Sequence, residues 1–242
     1  MHLYIEYFRA DHEERRREIM NALHANLQCP FLDSITIFAE DEVPPLPTSR
    51  CPVRIIRGAR QTYQSIMAVA NLNEDETAIH VIANNDIALS RGFERLHELL
   101  DDQTFVALSR HELSGVFDVH PAVSQDLWAW RGPSRITNAD FYMGRRGCDN
   151  RIAAEAYLAG YQLMNPCRDL IILHHHRSQQ RASAYDAEYV DPPYVSVAAC
   201  FWGQASRLER MIGGEQWVEE FRAQQRAKTT NLAEQVRARL VR

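Results

Sequence analysis

Apolar positions in the first half of the chain come as short runs separated by helically spaced stretches. Residues 2–8, HLYIEYF, have the aromatic and branched composition of a strand. Over 11–27, Ile19, Met20, Leu23 and Leu27 fall at helical spacing, with Asp11 as the expected N-cap. ITIF at 35–38 and VRII at 53–56 read as two more strands. Between them VPPLPTSRCP, at 43–52, holds four prolines in ten residues and excludes regular structure. Tyr63, Ile66, Met67 and Ala70 place a helix over 62–72, and AIHVIA at 78–83 is a fourth strand.

The second half mixes the two rhythms. TFVALS at 104–109, DLWAW at 126–130 and DFYMG at 140–144 have strand composition. Residues 150–159 predict a helix closed by Gly160, a further strand follows before residue 166, and LIILHHH at 170–176 is another. Residues 178–195 lack an apolar period and predict a mobile loop. From about 199 to 242 the chain reads as helical, with a break at Gly213-Gly214.

Strands alternating with helices imply an α/β fold with a mostly parallel central sheet covered on both faces. Ligands bind such sheets at the carboxyl ends of the strands. Topology therefore gathers Tyr7, Arg9, Glu40, Arg57, Asn84, Asn85 and Asp86 on one rim.

Composition narrows the class. A chain of 242 residues suits one large α/β domain, alone or with a helical appendage. With 45% hydrophobic residues, 24% charged residues and a net charge of -5, it has the profile of a mildly acidic enzyme and not of a nucleic-acid binder. No apolar run approaches the roughly 20 residues of a transmembrane helix. The N-terminal run places apolar residues before charge, the reverse of a signal peptide. Five scattered cysteines without a C-x-x-C pair predict reduced thiols packed as small core residues. The expected location is the cytoplasm, with peripheral contact to a membrane as a variant.

Five constellations could carry chemistry. Asn84-Asn85-Asp86 follows a buried strand abruptly, so it is either a turn or a rim carboxylate able to hold a hard divalent cation. Gly147-Cys148-Asp149-Asn150 opens a helix, so Asp149 is either a cap or a general base for an attacking hydroxyl. In His174-His175-His176 strand alternation puts His174 and His176 on one face, where they could complete a metal site with Asp86 or serve as structural histidines. Arg57 and Arg60, between a strand and a helix, suit diphosphate binding or are solvated surface charge. In Ser124-Gln125-Asp126-Leu127-Trp128, Asp126 beside Trp128 suits sugar stacking, or Trp128 and Trp130 are core residues. There is no G-x-G-x-x-G, P-loop, G-x-S-x-G or H-E-x-x-H motif, so common dehydrogenase, NTPase, serine-hydrolase and zincin classes lose their anchors.

Over about residues 1–177 the chain resembles the GT-A-type glycosyltransferases, especially the family-two-like group. LYIEYFR resembles the first strand, whose end contacts the nucleobase, and IFAEDE the second, whose acid meets base or ribose. IANNDIALS resembles the strand of the D-x-D motif, with Asn84 in place of the first acid and Asp86 as the second. GCDNRIAAEAYLAGYQLMNP resembles the Glu-Asp helix followed by a glycine and an aromatic, with Cys148 in place of the Glu and Asp149 at the acceptor-base position. LIILHHH resembles the later strand that supplies a histidine ligand in some metal-dependent members.

The resemblance implies a catalytic domain over 1–177; beyond it the residue pattern predicts a loop over 178–198, expected to close on the donor, and a helical extension over 199–242. It implies transfer of a sugar from a nucleoside diphosphate donor, a UDP- or GDP-sugar, to a glycan or other hydroxyl acceptor. Asp86, His174 and His176 would hold Mn2+ or Mg2+. Tyr7, Arg9, Glu40, Arg57, Arg60, Asn84, Asn85, Asp126 and Trp128 would bind the donor, and Asp149 would be the base of an inverting displacement. Pairing of two chains through the C-terminal helices is a further expectation. A sugar-phosphate nucleotidyltransferase, a catalytically degenerate binding module of the same fold and a histidine-metal hydrolase are the alternatives.

Overall fold

In the computed structural model, which describes residues 1–117, 120–176 and 189–212, the alternation of apolar runs and helices resolves into one large sheet and two small ones. β1 (His2–Tyr7), α1 (Glu13–Leu27), β2 (Ser34–Ala39), β3 (Val53–Arg57), α2 (Tyr63–Ala70) and β4 (Ile79–Ala83) follow one another. Then come β5 (Ile87–Leu89), α3 (Leu96–Leu99), β6 (Thr104–Leu108), β7 (His111–Glu112) and β8 (Leu127–Arg131). α4 (Cys148–Leu158), β9 (Gln162–Met164), β10 (Ile172–His174), β11 (Tyr194–Val197) and β12 (Leu208–Ile212) complete the described chain.

The central sheet has seven strands in the order β3-β2-β1-β4-β8-β6-β9. The first four are mutually parallel, β6 and β9 are parallel, and only β8 runs antiparallel to both its neighbours. Side-chain alternation sorts the core into two layers. Leu3, Ile5 and Tyr7 of β1 face Ile19, Leu23 and Leu27 of α1, whereas Tyr4 joins Ile66 of α2 and Ile152 of α4 on the opposite face. β3 lies at the sheet edge, with Arg54, Ile55 and Arg57 exposed. No helix among the described residues is long and apolar enough to cross a membrane.

Three expectations change. α1 starts at Glu13, with His12 as an N-cap that makes no side-chain cap bond, so Asp11 is not the cap. Residues 140–144 form no strand, because their neighbourhood serves α2. The Tyr63 and Gln64 amides, which have no acceptor within their own helix, donate to the Phe141 and Ala139 carbonyls at 3.1 and 2.9 Å. Residues 199–207 are not helical, and 208–212 form β12, which pairs with β11. Tertiary pairing overrides the helical propensity of this Arg- and Glu-rich stretch. β11 itself takes residues 194–197 out of the expected loop. Residues 178–188, the helical extension from 213 onward and its proposed pairing with a second chain lie outside the described residues.

A small sheet, β5-β10-β7, follows the carboxyl end of β4, and one side chain ties its strand β5 to α1. Asn26 of α1, 1% exposed, donates from Nδ2 to the Ile87 carbonyl at 2.8 Å, and its Oδ1 accepts the Leu89 amide at 2.9 Å. Both bonds go to the backbone of β5, on the side away from β10. Replacing Asn26 with Leu strands two buried backbone groups. The expected cost is roughly 2–4 kcal/mol of unfolding free energy, read by urea denaturation; an unchanged midpoint would mean that β5 finds other partners.

Candidate functional site

β1 and β4 are parallel neighbours with Ile5 opposite Ala83, so the chain leaving Tyr7 and the chain leaving Ala83 emerge side by side at the carboxyl edge. Asn84, Asn85 and Asp86 form the turn into β5, closed by the Ile87 amide donating to the Asn84 carbonyl at 3.1 Å. The turn and the rim carboxylate are therefore the same feature. Asp86 is 5% exposed, and its backbone carbonyl accepts the His175 amide at 2.8 Å, which fixes β10 against the turn.

That register brings His174 and His176 to Asp86. His174 Nε2 lies 3.1 Å and His176 Nδ1 3.8 Å from Asp86 Oδ2, and the two rings meet edge-on with centroids 5.2 Å apart. One donor atom from each of the three residues lies within 4.8 Å of the others. Burial alone would raise the Asp86 carboxyl, but the His174 hydrogen bond and charge and the Arg15 guanidinium outweigh it and hold the group well below the usual carboxylate range. Burial alone would lower His174, yet its bond to Asp86 outweighs this and raises it above the ordinary histidine value. His176 is lowered, first by burial and then by the Arg15 charge.

The donor set fits a divalent cation. Among the described residues His176 Nε2 is buried without a hydrogen-bond partner. His174 Nδ1 lies 3.3 Å from Glu112 Oε1, the outer carboxylate that commonly orients a ligating imidazole. An open depression of about 320 Å³ on the Glu112 side of His174 is lined by Glu112, Leu113, Ser114 and His174. Asp126 stands beside this cluster. It accepts Asn84 Nδ2 at 2.7 Å and Arg110 Nη1 at 2.9 Å, so Asn84 is committed to Asp126.

A second group lies at the ends of β1 to β3. Arg9 donates its amide to Asp41 Oδ2 at 2.8 Å, and Glu40 donates its amide to the Tyr7 carbonyl at 3.0 Å. Tyr7 is buried, while Arg9, Glu40 and Arg57 are exposed. Arg60 donates to the Met143 carbonyl and lies over the Tyr142 ring, 5.2 Å from its centroid. Trp128 is corrected to a core residue: it is 0% exposed and meets Tyr63 edge-on at 5.1 Å, with no face left for a sugar.

Asp149 is not the helix cap. Gly147 takes that position with φ +79, and a Cβ there would come 2.9 Å from the Tyr194 ring, so both conformation and space require glycine. Asp149 instead occupies the first turn of α4, where the helix dipole favours a carboxylate. Its Oδ1 accepts the Cys148 thiol at 3.1 Å, and the Tyr63 hydroxyl lies 3.8 Å from the same sulfur.

Several residues of the site have no counterpart in the sequence-level expectation. Arg15 donates to Asp86 Oδ2 at 2.6 Å. Its signal was topological, because the first turn of a helix that follows a parallel strand starts at the carboxyl edge. Glu112 and Arg110 come from the segment after β6. Glu6 is 7% exposed on the α2 face of β1 and accepts the Gln61 amide at 3.2 Å. A carboxylate within an otherwise apolar strand was its signal.

No family model matches the chain, and no curated protein matches it in sequence. Among solved structures it is similar to the mannosyltransferase PcManGT from Pyrobaculum calidifontis in complex with GDP-Man and Mn2+, at 11% identity over 74% of this chain and 57% of that one, TM-score 0.46. It is also similar to S. aureus TarS in complex with UDP-GlcNAc, at 9% identity over 79% of this chain and 62% of that one, TM-score 0.45. A third, from Desulfovibrio desulfuricans G20 and described as a nucleotide-diphospho-sugar transferase, shares 14% identity over 68% of this chain and 78% of that one, TM-score 0.38. The chain thus spans under two thirds of the length of the first two.

Burial pushes the Glu6 carboxyl up to about 7, against the Arg60 charge that lowers it. The unfolded chain therefore loses this proton first. Stability is full below the ordinary value of 4.5 and is lost as pH rises through about 7. Glu6→Gln is expected to match wild type at pH 4 and to exceed it by roughly 1–3 kcal/mol at pH 8 in urea denaturation. A difference that does not vary with pH would place the Glu6 proton elsewhere.

Proposed function

We propose that the chain is a glycosyltransferase that moves a sugar from a UDP- or GDP-sugar to the hydroxyl of a glycan or another acceptor. The observation that carries this reading is the carboxylate and two imidazoles, Asp86, His174 and His176, gathered at the carboxyl edge of a mostly parallel sheet. A divalent cation held there would neutralise the diphosphate leaving group, and the imidazoles favour Mn2+ over Mg2+, which prefers oxygen ligands.

The remaining roles belong to the chain's own groups. Tyr7, Arg9 and Glu40, at the ends of β1 and β2, border the place for base and ribose. Arg57 and Arg60 add positive charge toward the diphosphate, where electrostatic stabilisation of the leaving group matters most. Asn84, held by Asp126, and Asn85 shape the turn that carries Asp86. Asp149, at the start of α4, takes the proton of the acceptor hydroxyl as it attacks, giving a single in-line displacement with inversion. The Cys148 thiol on Oδ1 keeps the carboxylate oriented.

The same two-imidazole, one-carboxylate set favours a second reading, a histidine-metal hydrolase, which would bind zinc tightly and have no affinity for nucleotides.

Thermal unfolding against UDP, GDP and their sugars, with and without Mn2+, separates the two. A nucleotide at 100 times its dissociation constant stabilises by about 2.7 kcal/mol, a clear shift in midpoint. The transferase reading expects a Mn2+-dependent shift with one base; a shift with zinc alone would support the hydrolase. With a donor in hand, Asp149→Asn should keep donor affinity and lose roughly 10²–10⁴-fold in transfer rate. Full transfer by that variant would remove Asp149 as the base.

A further inference from the structure

The Asp86 carboxylate already carries a cation that belongs to the chain. Arg15 Nη2 lies 2.6 Å from Oδ2, the same oxygen that His174 and His176 approach at 3.1 and 3.8 Å. The Arg15 Nη1 sits 3.3 Å from Glu18 Oε2, one turn along α1. The Arg15, Asp86 and Glu18 side chains are 14%, 7% and 9% exposed. Bulk salt screens so enclosed a pair little, and its charge-assisted hydrogen bond is of the strong kind. The guanidinium thus sits on the carboxylate oxygen that both imidazoles approach.

We propose that Arg15 is an internal competitor for the divalent cation: it compensates Asp86 until a cation takes that oxygen, and it is then displaced toward the diphosphate. This rests on the proposed cation site and assigns the residue that sets its affinity. A divalent cation on Oδ2 would face the Arg15 guanidinium at close range on the same oxygen, and the repulsion between them works against the Arg15–Asp86 pair. A nucleoside diphosphate gives the released guanidinium a new anionic partner. Cation and nucleotide therefore bind with positive coupling, and by linkage each raises the affinity of the other.

The test is Mn2+ titration of the full chain, followed by the electron paramagnetic resonance signal of free Mn2+ and by calorimetry. It compares wild type, Arg15→Gln and Arg15→Lys, alone and with UDP or GDP, with folding of each checked by thermal unfolding. Arg15→Gln is expected to bind Mn2+ alone roughly 10- to 100-fold more tightly than wild type, the worth of a hydrogen bond to a charged group. Arg15→Lys, which keeps the charge and loses the planar fork, should fall between. The added nucleotide should tighten Mn2+ binding more in wild type than in Arg15→Gln. Equal or weaker Mn2+ affinity in both variants, no Mn2+ binding by any of the three, or undiminished Mn2+ binding in Asp86→Asn would each overturn the competition. Tighter binding in the variants with no response to either nucleotide would uphold it while removing the glycosyltransferase reading.

Discussion

A carboxylate cannot sit in a protein interior without donors or cations around it, and leaving one uncompensated costs several kcal/mol. Asp86 meets this demand by drawing distant parts of the chain to one oxygen. Arg15 comes from α1, 71 residues away, and His174 from β10, 88 residues away. The backbone repeats the arrangement, because the Asp86 carbonyl holds the His175 amide and Asn26 holds β5 from the α1 side. One ionised group thus fixes how α1, the end of β4 and the small sheet meet, and the rim chemistry follows from it.

The parallel half of the fold was legible because its signals are local. β1, β2 and β4 are short apolar runs buried on both faces, and α1 and α2 bury one stripe, so period and composition place these elements within a residue or two. The run of three histidines was legible for the same reason, since strand alternation alone puts His174 and His176 together. The segment around 140–144 was not, because its carbonyls serve the first turn of α2, a contact that no local pattern records. β12 was misread because its residues are good helix formers and only pairing with β11 decides against a helix. Trp128 shows the limit of composition: a tryptophan beside a carboxylate looks like a sugar platform, and only the packing of Tyr63 against it says otherwise. Arg15 and Glu6 could have been found by carrying topology one step further, from where strands end to what borders those ends.

The two groups on the rim are built differently. Around Asp86 the contacts are ion pairs and charge-assisted hydrogen bonds among largely enclosed side chains, so that region is held by charge. Around β1 to β3 the polar residues are mostly exposed and tied through backbone amides, so that region is held by main-chain geometry. Asp149 lies in the first turn of α4, and its place depends on a glycine: the left-handed turn at Gly147 and the Tyr194 ring pressed on it decide where that turn begins.

The edge strand β3 carries a different kind of consequence. Among the described residues no strand pairs with the outer side of β3; an open sheet edge offers its backbone to an extended chain, and VRIIR, with Ile55 41% exposed, has the composition that invites such pairing. Arg54 and Arg57 flank that isoleucine on the exposed edge. Two copies meeting edge to edge would bring four guanidinium groups together, so the strand repels its own duplicate at moderate ionic strength. That repulsion is screened over about 8 Å at physiological salt and over less at higher salt. The two arginines of this strand thereby oppose edge-to-edge pairing most strongly at low salt.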